Sequence, residues 1–174
     1  MIKREPCTEP ARSPGGRKVS SGKEGMIEFH AGSILAADVE AVVNPANTHG
    51  VMGAGLALQF KNSYPRMFAE YKRRCAAGEF GPGQVMPVKV AASNPQWVLN
   101  FATKDHWRDP SKLEYIERGL ADLRRAILSL ELISVAIPAL GCGLGQLDWP
   151  TVRARIEDFA STLPKIRVLV YKPK

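Results

Sequence analysis

Val42-Val43-Asn44-Pro45-Ala46-Asn47-Thr48-His49-Gly50-Val51-Met52-Gly53-Ala54-Gly55 runs from an apolar, β-branched stretch through a glycine-rich turn into a helical pattern. Ile137-Pro138-Ala139-Leu140-Gly141-Cys142-Gly143-Leu144-Gly145 closes a second apolar run in the same way. Glycines at a strand-to-helix junction let backbone N–H groups approach an anion closely, and the helix that follows adds the positive end of its dipole. Two such loops in one short chain predict a ligand with two phosphates, or a phosphate and a sugar, gripped from both sides.

Outward from these loops, apolar runs alternate with amphipathic patterns. Met26 to Phe29 and Val39 to Val43 read as short strands, the second feeding the first loop, and Ala54 to Phe60 reads as a helix. Tyr64, Met67, Phe68 and Tyr71 recur at helical spacing within Tyr64 to Ala77, with Gly78 as the stop, and that stripe reads as core. Val85 to Val90 and Trp97 to Phe101 are further strands. Ser111-Lys112-Leu113-Glu114 matches a capping box and predicts a long helix from Lys112 to about Leu130. Ser134 to Pro138 reads as a strand, Pro150 to Leu163 as a helix and Ile166 to Tyr171 as the last strand. This alternation predicts a three-layer α/β/α sandwich with its ligand at the carboxyl ends of the strands.

At 174 residues and 45% apolar residues, the chain has the size of one domain with a proper core. It contains neither a run of apolar residues long enough to span a membrane nor an apolar segment of the signal-peptide kind near its start. Residues 1–25 are rich in Pro, Ser, Gly and charge and read as a flexible extension preceding a domain at 26–174. Cys7, Cys75 and Cys142 are too few and too scattered for a disulfide framework or a zinc site, which points to a reducing, cytoplasmic setting without metal. The net charge is +7, of which residues 1–25 carry +3, so the body is mildly basic. That permits binding of anionic metabolites or nucleic acid without specifying either.

Several side chains can carry chemistry. Asn44 and Asn47 stand at the end of a buried strand, where an amide either closes a turn or meets a sugar hydroxyl; the residues favour the turn for Asn44 and the ligand for Asn47. Cys142 lacks an adjacent base that would activate it as a nucleophile. Asp148 precedes a helix start and reads as its cap. Between the loops, Asn100-Phe101-Ala102-Thr103-Lys104-Asp105-His106-Trp107-Arg108-Asp109 ends a strand in a dense titratable cluster. Lys104 leads it as a cation or, in a site that lowers its pKa, as a nucleophile. A solvated lysine paired with Asp105 or Asp109 is the plainer alternative.

These segments, with Gly32-Ser33-Ile34-Leu35 and the closing strand, resemble a macrodomain, the ADP-ribose-binding fold, over about Met26 to Tyr171. Met52-Gly53-Ala54-Gly55, Phe101-Ala102-Thr103-Lys104-Asp105-His106-Trp107 and Leu144-Gly145-Gln146-Leu147-Asp148-Trp149 are most similar to one branch. It contains the DNA ADP-ribosyl glycohydrolase antitoxins (DarG) and the terminal ADP-ribose glycohydrolases. The resemblance implies a mixed sheet between helices, a monomer, and ADP-ribose as ligand or product with no cofactor. It makes Lys104 the catalytic residue, attacking the anomeric carbon of the distal ribose. It places the ligand against Ser33, Ile34, Asn44, Asn47 and Thr48; against Val51, Met52, Gly53, Gly55 and Leu56; and against His106. On the second loop it adds Pro138, Leu140, Gly141, Cys142, Gly143, Leu144 and Gly145. The implied activity is removal of ADP-ribose from a DNA base, with a DNA ADP-ribosyltransferase toxin as the implied partner. Hydrolysis of ADP-ribose esters on protein carboxylates and plain ADP-ribose reading are the alternatives. Two positions depart from the family pattern. Ser33 stands where many macrodomains carry the aspartate that bonds adenine. Gly145 stands where the human terminal glycohydrolase pairs its lysine with an aspartate.

Overall fold

A computed structural model describes residues 26–174; the extension read in residues 1–25 lies outside them. In chain order the elements are β1 (Ile27–His30), a 3-10 turn (Ile34–Ala36), β2 (Ala41–Ala46), α1 (Gly55–Ser63), α2 (Pro65–Ala76), β3 (Val85–Lys89), β4 (Trp97–Ala102), α3 (Leu113–Ser129), β5 (Ser134–Pro138), α4 (Trp149–Ser161) and β6 (Arg167–Tyr171). The six strands form one sheet in the order β1-β6-β5-β2-β4-β3. All neighbours pair in parallel except β3, which runs antiparallel to β4 at the edge.

β2 shows why the sheet lies between two helical layers. Its odd positions Ala41 and Val43 join the core under α3 and α4, which includes Leu99, Phe101, Ile116, Leu123, Ile156 and Val168. Its even positions Val42 and Ala46 join a second core with Phe60, Met67, Tyr71, Met86 and Val98, beneath α1 and α2. A strand whose two faces are both covered needs apolar side chains at every position, and this explains the continuous apolar runs that precede both glycine loops. Within α2, Met67 and Tyr71 are fully buried and Phe68 and Tyr64 pack against them, so the aromatic stripe is core.

Two local expectations meet different outcomes. Asp148 caps α4: its Oδ2 accepts from Thr151 N–H at 3.0 Å. The capping box at Ser111 does not form. The N-cap of α3 is Lys112, with no side-chain cap, and the Glu114 carboxylate takes the Arg118 guanidinium at 3.5 Å instead. The reason is tertiary: Ser111 N–H donates to Gly145 O at 2.9 Å, which holds Ser111 against the second glycine loop and one residue short of the cap.

Candidate active-site cleft

The carboxyl ends of β2, β4, β5 and β6 open into a cleft of about 1060 Å³. That is just above the roughly 300–1,000 Å³ usual for small-molecule sites. Its walls are the loops after β2, β4 and β5 and the segments after β1 and β6.

The first loop is organised from below by buried amides. Asn44 is opposite Asn100 in the β2–β4 register, and its Nδ2 donates to Asn100 Oδ1 at 2.9 Å. Asn47, 6% exposed, folds the turn around itself: its Nδ2 donates to Val51 O at 2.6 Å and its Oδ1 accepts from His49 N–H at 2.9 Å. Tyr71, on α2, donates its hydroxyl to Asn47 O at 2.7 Å, so the helix layer clamps the loop. Beyond the turn α1 begins with Ala54 as its N-cap and no capping side chain, while Gly55, Leu56 and Ala57 line the cleft. The free N–H groups of a helix start and its dipole therefore face the ligand space.

In the second loop Gly141 has φ +72°, and the turns engage the N–H groups of Cys142, Gln146 and Leu147. Those of Gly143, Leu144 and Gly145 meet no carbonyl of the described residues. Side chains at two positions would collide with Ser111: a Cβ on Gly145 would stand 2.2 Å from Ser111 Oγ, and one on Gly141 would stand 3.1 Å from it. The loop must therefore be glycine where it passes Ser111. Burial pushes the Cys142 thiol up to about 11, with the Asp148 carboxylate adding to the effect. The thiol donates to Leu140 O at 3.6 Å and lines the cleft.

The third wall carries Lys104. Lys104 stands two residues past the end of β4, lines the cleft and is half-buried. Desolvation lowers its pKa below the ordinary lysine value, and the Asp109 carboxylate opposes this more weakly. None of the ion pairs among the described residues involves it. The neighbouring Asp105 is engaged with the first loop: its carboxylate accepts from the Thr48 hydroxyl and lies 3.7 Å from His49 Nε2. The pairing of Lys104 with Asp105 or Asp109 raised from the sequence is not formed.

Of the residues expected at the ligand, Ser33, Ile34, Asn47, Val51, Gly53, Gly55, Leu56, Lys104, Pro138, Gly141, Cys142, Gly143, Leu144 and Gly145 line the cleft. Five do not. Asn44 has no exposed surface and supports the loop from beneath. Met52 is buried below it in the α1–α2 core, and Leu140 in the α3–α4 core. The Thr48 hydroxyl is taken up by Asp105. His106 stacks on Trp107 with ring centroids 5.4 Å apart and meets the His49 ring edge-on at 4.8 Å. Conversely, Ser111, Trp107, Arg108 and Gln59 line the cleft without having been expected there. The capping-box pattern concealed Ser111; Trp107 and Arg108 belong to the titratable cluster that marked Lys104.

Doubly bound glycine loops at the carboxyl edge of a mixed six-stranded sheet define a fold of the macrodomain class. The Macro domain profile matches residues 43–156, and the chain belongs to the Macro domain family. It is 46% identical over 149 residues to a DNA ADP-ribosyl glycohydrolase of Mycobacterium tuberculosis, covering 85% of this chain and 42% of that protein. It is 30% identical over 158 residues to a DNA ADP-ribosyl transferase–DNA ADP-ribosyl glycohydrolase fusion protein of Thermosipho africanus, covering 82% of this chain and 40% of the other. The chain thus spans about two-fifths of the length of these relatives. Among solved structures, the macrodomain of M. tuberculosis DarG matches with a TM-score of 0.85 at 46% identity, over 86% of this chain and 99% of that one. T. africanus DarTG in complex with ADP-ribose matches with a TM-score of 0.79 at 30% identity, over 87% and 43%.

Proposed function

We propose that the protein is an ADP-ribosyl glycohydrolase that removes ADP-ribose from a modified DNA base, with Lys104 as nucleophile. The observation that carries this reading is a half-buried lysine amine, free of ion pairs among the described residues, in the same cleft as the two glycine loops. The relatives' names supply the DNA, and the Thermosipho structure named as an ADP-ribose complex supplies the ligand.

The N–H groups at the start of α1 and along the second loop hold the diphosphate by charge and hydrogen bonding. In the reaction, the lone pair of neutral Lys104 Nζ forms a bond to the anomeric carbon of the ribose. The bond from that carbon to the base nitrogen breaks, its electron pair leaves with the base, and the base takes a proton from solvent. Water then displaces the amine, giving free ADP-ribose and regenerating Lys104. The proposed setting is the cytoplasm and the proposed working form a monomer. The fused relative supports a DNA ADP-ribosyltransferase as counterpart.

The test is to incubate the protein and Lys104→Ala with single-stranded DNA bearing ADP-ribose on thymine and to follow release by gel shift. Release should be lost in the variant by at least a thousandfold, while calorimetric binding of ADP-ribose is retained. Turnover by Lys104→Ala at the parental rate would sink the lysine mechanism. Retention of ADP-ribose on DNA by the parent, with free ADP-ribose still bound, would redirect the reading to protein esters or to a reader.

A further inference from the structure

Ser111 lies near the far end of the loop that carries Lys104, and both residues line the cleft. The residue is 6% exposed, and its hydroxyl oxygen is buried with no hydrogen-bond partner among the described residues. Buried hydroxyls are nearly always bonded, to protein, water or ligand. The backbone of Ser111 is fixed, since its N–H donates to Gly145 O at 2.9 Å, so only the hydroxyl is spare. The second loop makes room for it: ideal Cβ atoms on Gly145 and Gly141 would fall 2.8 Å and 2.9 Å from Ser111 Cβ. The serine thus occupies the volume that a side chain at position 145 would need. A hydroxyl both donates and accepts, and so does its natural counterpart, the hydroxyl of a sugar.

We propose that the Ser111 hydroxyl binds a hydroxyl of the ribose on which Lys104 acts, and that Gly141 and Gly145 lack side chains to leave it that place. The inference rests on the glycohydrolase reading above. It makes Ser111 the group that holds the reacting sugar on the side facing the second loop, in the space where an acid at position 145 would otherwise stand.

Calorimetry of the parent and Ser111→Ala, with ADP-ribose and with ADP, tests it, because ADP ends before that ribose. Ser111→Ala should bind ADP-ribose about three- to tenfold more weakly, the scale of one neutral hydrogen bond, and bind ADP as the parent does. It should melt no lower than the parent, since it removes a buried hydroxyl that no described residue bonds. Unchanged binding of ADP-ribose would overturn the proposal, and so would equal losses for both ligands, which would mean that Ser111 only shapes the loop. If Ser111→Ala melts well below the parent, Ser111→Cys fills the same space with a poor hydrogen-bonding group and must show the same selective loss; otherwise the proposal falls. A parent that binds neither ligand would overturn the glycohydrolase reading itself, whereas a parent that binds both beside an unaltered variant removes Ser111 alone.

Discussion

An attacking lysine works only as the free amine, and the cleft favours that form at Lys104 by stripping water from it. The rate of release should therefore climb with pH and level off at a pKa below the ordinary lysine value. Asp109 opposes the shift, so Asp109→Asn should move the rising limb to lower pH. A pH–rate profile of the two proteins checks this, and a limb that stays put or moves upward contradicts it. Gly145 poses the opposite question, whether an acid can be added. Its missing Cβ would meet Ser111 Oγ at 2.2 Å and Gly141 O at 2.5 Å, and one of these is backbone that cannot step aside. Gly145→Asp should fail to restore release to Lys104→Ala, and Gly145→Ala should cost about 2 kcal/mol in denaturant unfolding, the scale of overpacking a filled site.

Among the elements, α4 depends on a cap that its sequence announces. Asp148 Oδ2 accepts from the N–H of Thr151 at 3.0 Å and from its hydroxyl at 2.7 Å. Asp148→Ala should cost about 1 kcal/mol of stability with turnover unchanged, because the carboxylate does not line the cleft. A loss of release rate at full folding would contradict that division of roles. The same element shows why parts of the chain were legible. Strands β2, β4 and β5, helix α4 and the stripe of Met67 and Tyr71 are written in local periodicity and end signals. Lys104 was legible because it stands just past the end of an apolar strand, in the kind of loop that borders the ligand crevice. The sequence favours a structural role for Asn44 and ligand contact for Asn47: the register with Asn100 buries the first, and the second lines the cleft while both ends of its amide close the turn. Ser111 misled for a related reason, since its capping pattern is local and the bond that overrides it comes from Gly145, 34 positions away. Helix α3 carries a hidden constraint of the same kind, since a Cβ on Gly119 would enter the ring of Phe101 at 2.2 Å.

For the whole molecule, the mild positive charge becomes a statement about how a large substrate is held. Trp107 is exposed at the cleft wall with the Arg108 guanidinium 4.4 Å from its ring centroid, an arrangement of cation and aromatic at the edge of the ligand space. If the substrate is DNA, its backbone adds phosphate contacts that free ADP-ribose lacks. The Michaelis constant for modified DNA should then rise several-fold between about 50 and 200 mM salt, while the dissociation constant for ADP-ribose moves far less. Parallel measurements across a salt series decide this, and equal slopes for the two ligands would place no DNA contact outside the cleft.

The loop after β4 is joined to both of its neighbours. Thr48 N–H donates to Asp105 O at 3.0 Å, Thr103 N–H to Ala46 O at 3.1 Å and Ser111 N–H to Gly145 O at 2.9 Å. Three walls that could have moved separately share these bonds before any ligand arrives. Encounter then need not wait for a loop to order, and association should proceed at an ungated rate in a single kinetic phase. The amides of Thr48, Thr103 and Ser111 should exchange slowly with solvent deuterium in the free protein and slow little further when ADP-ribose binds.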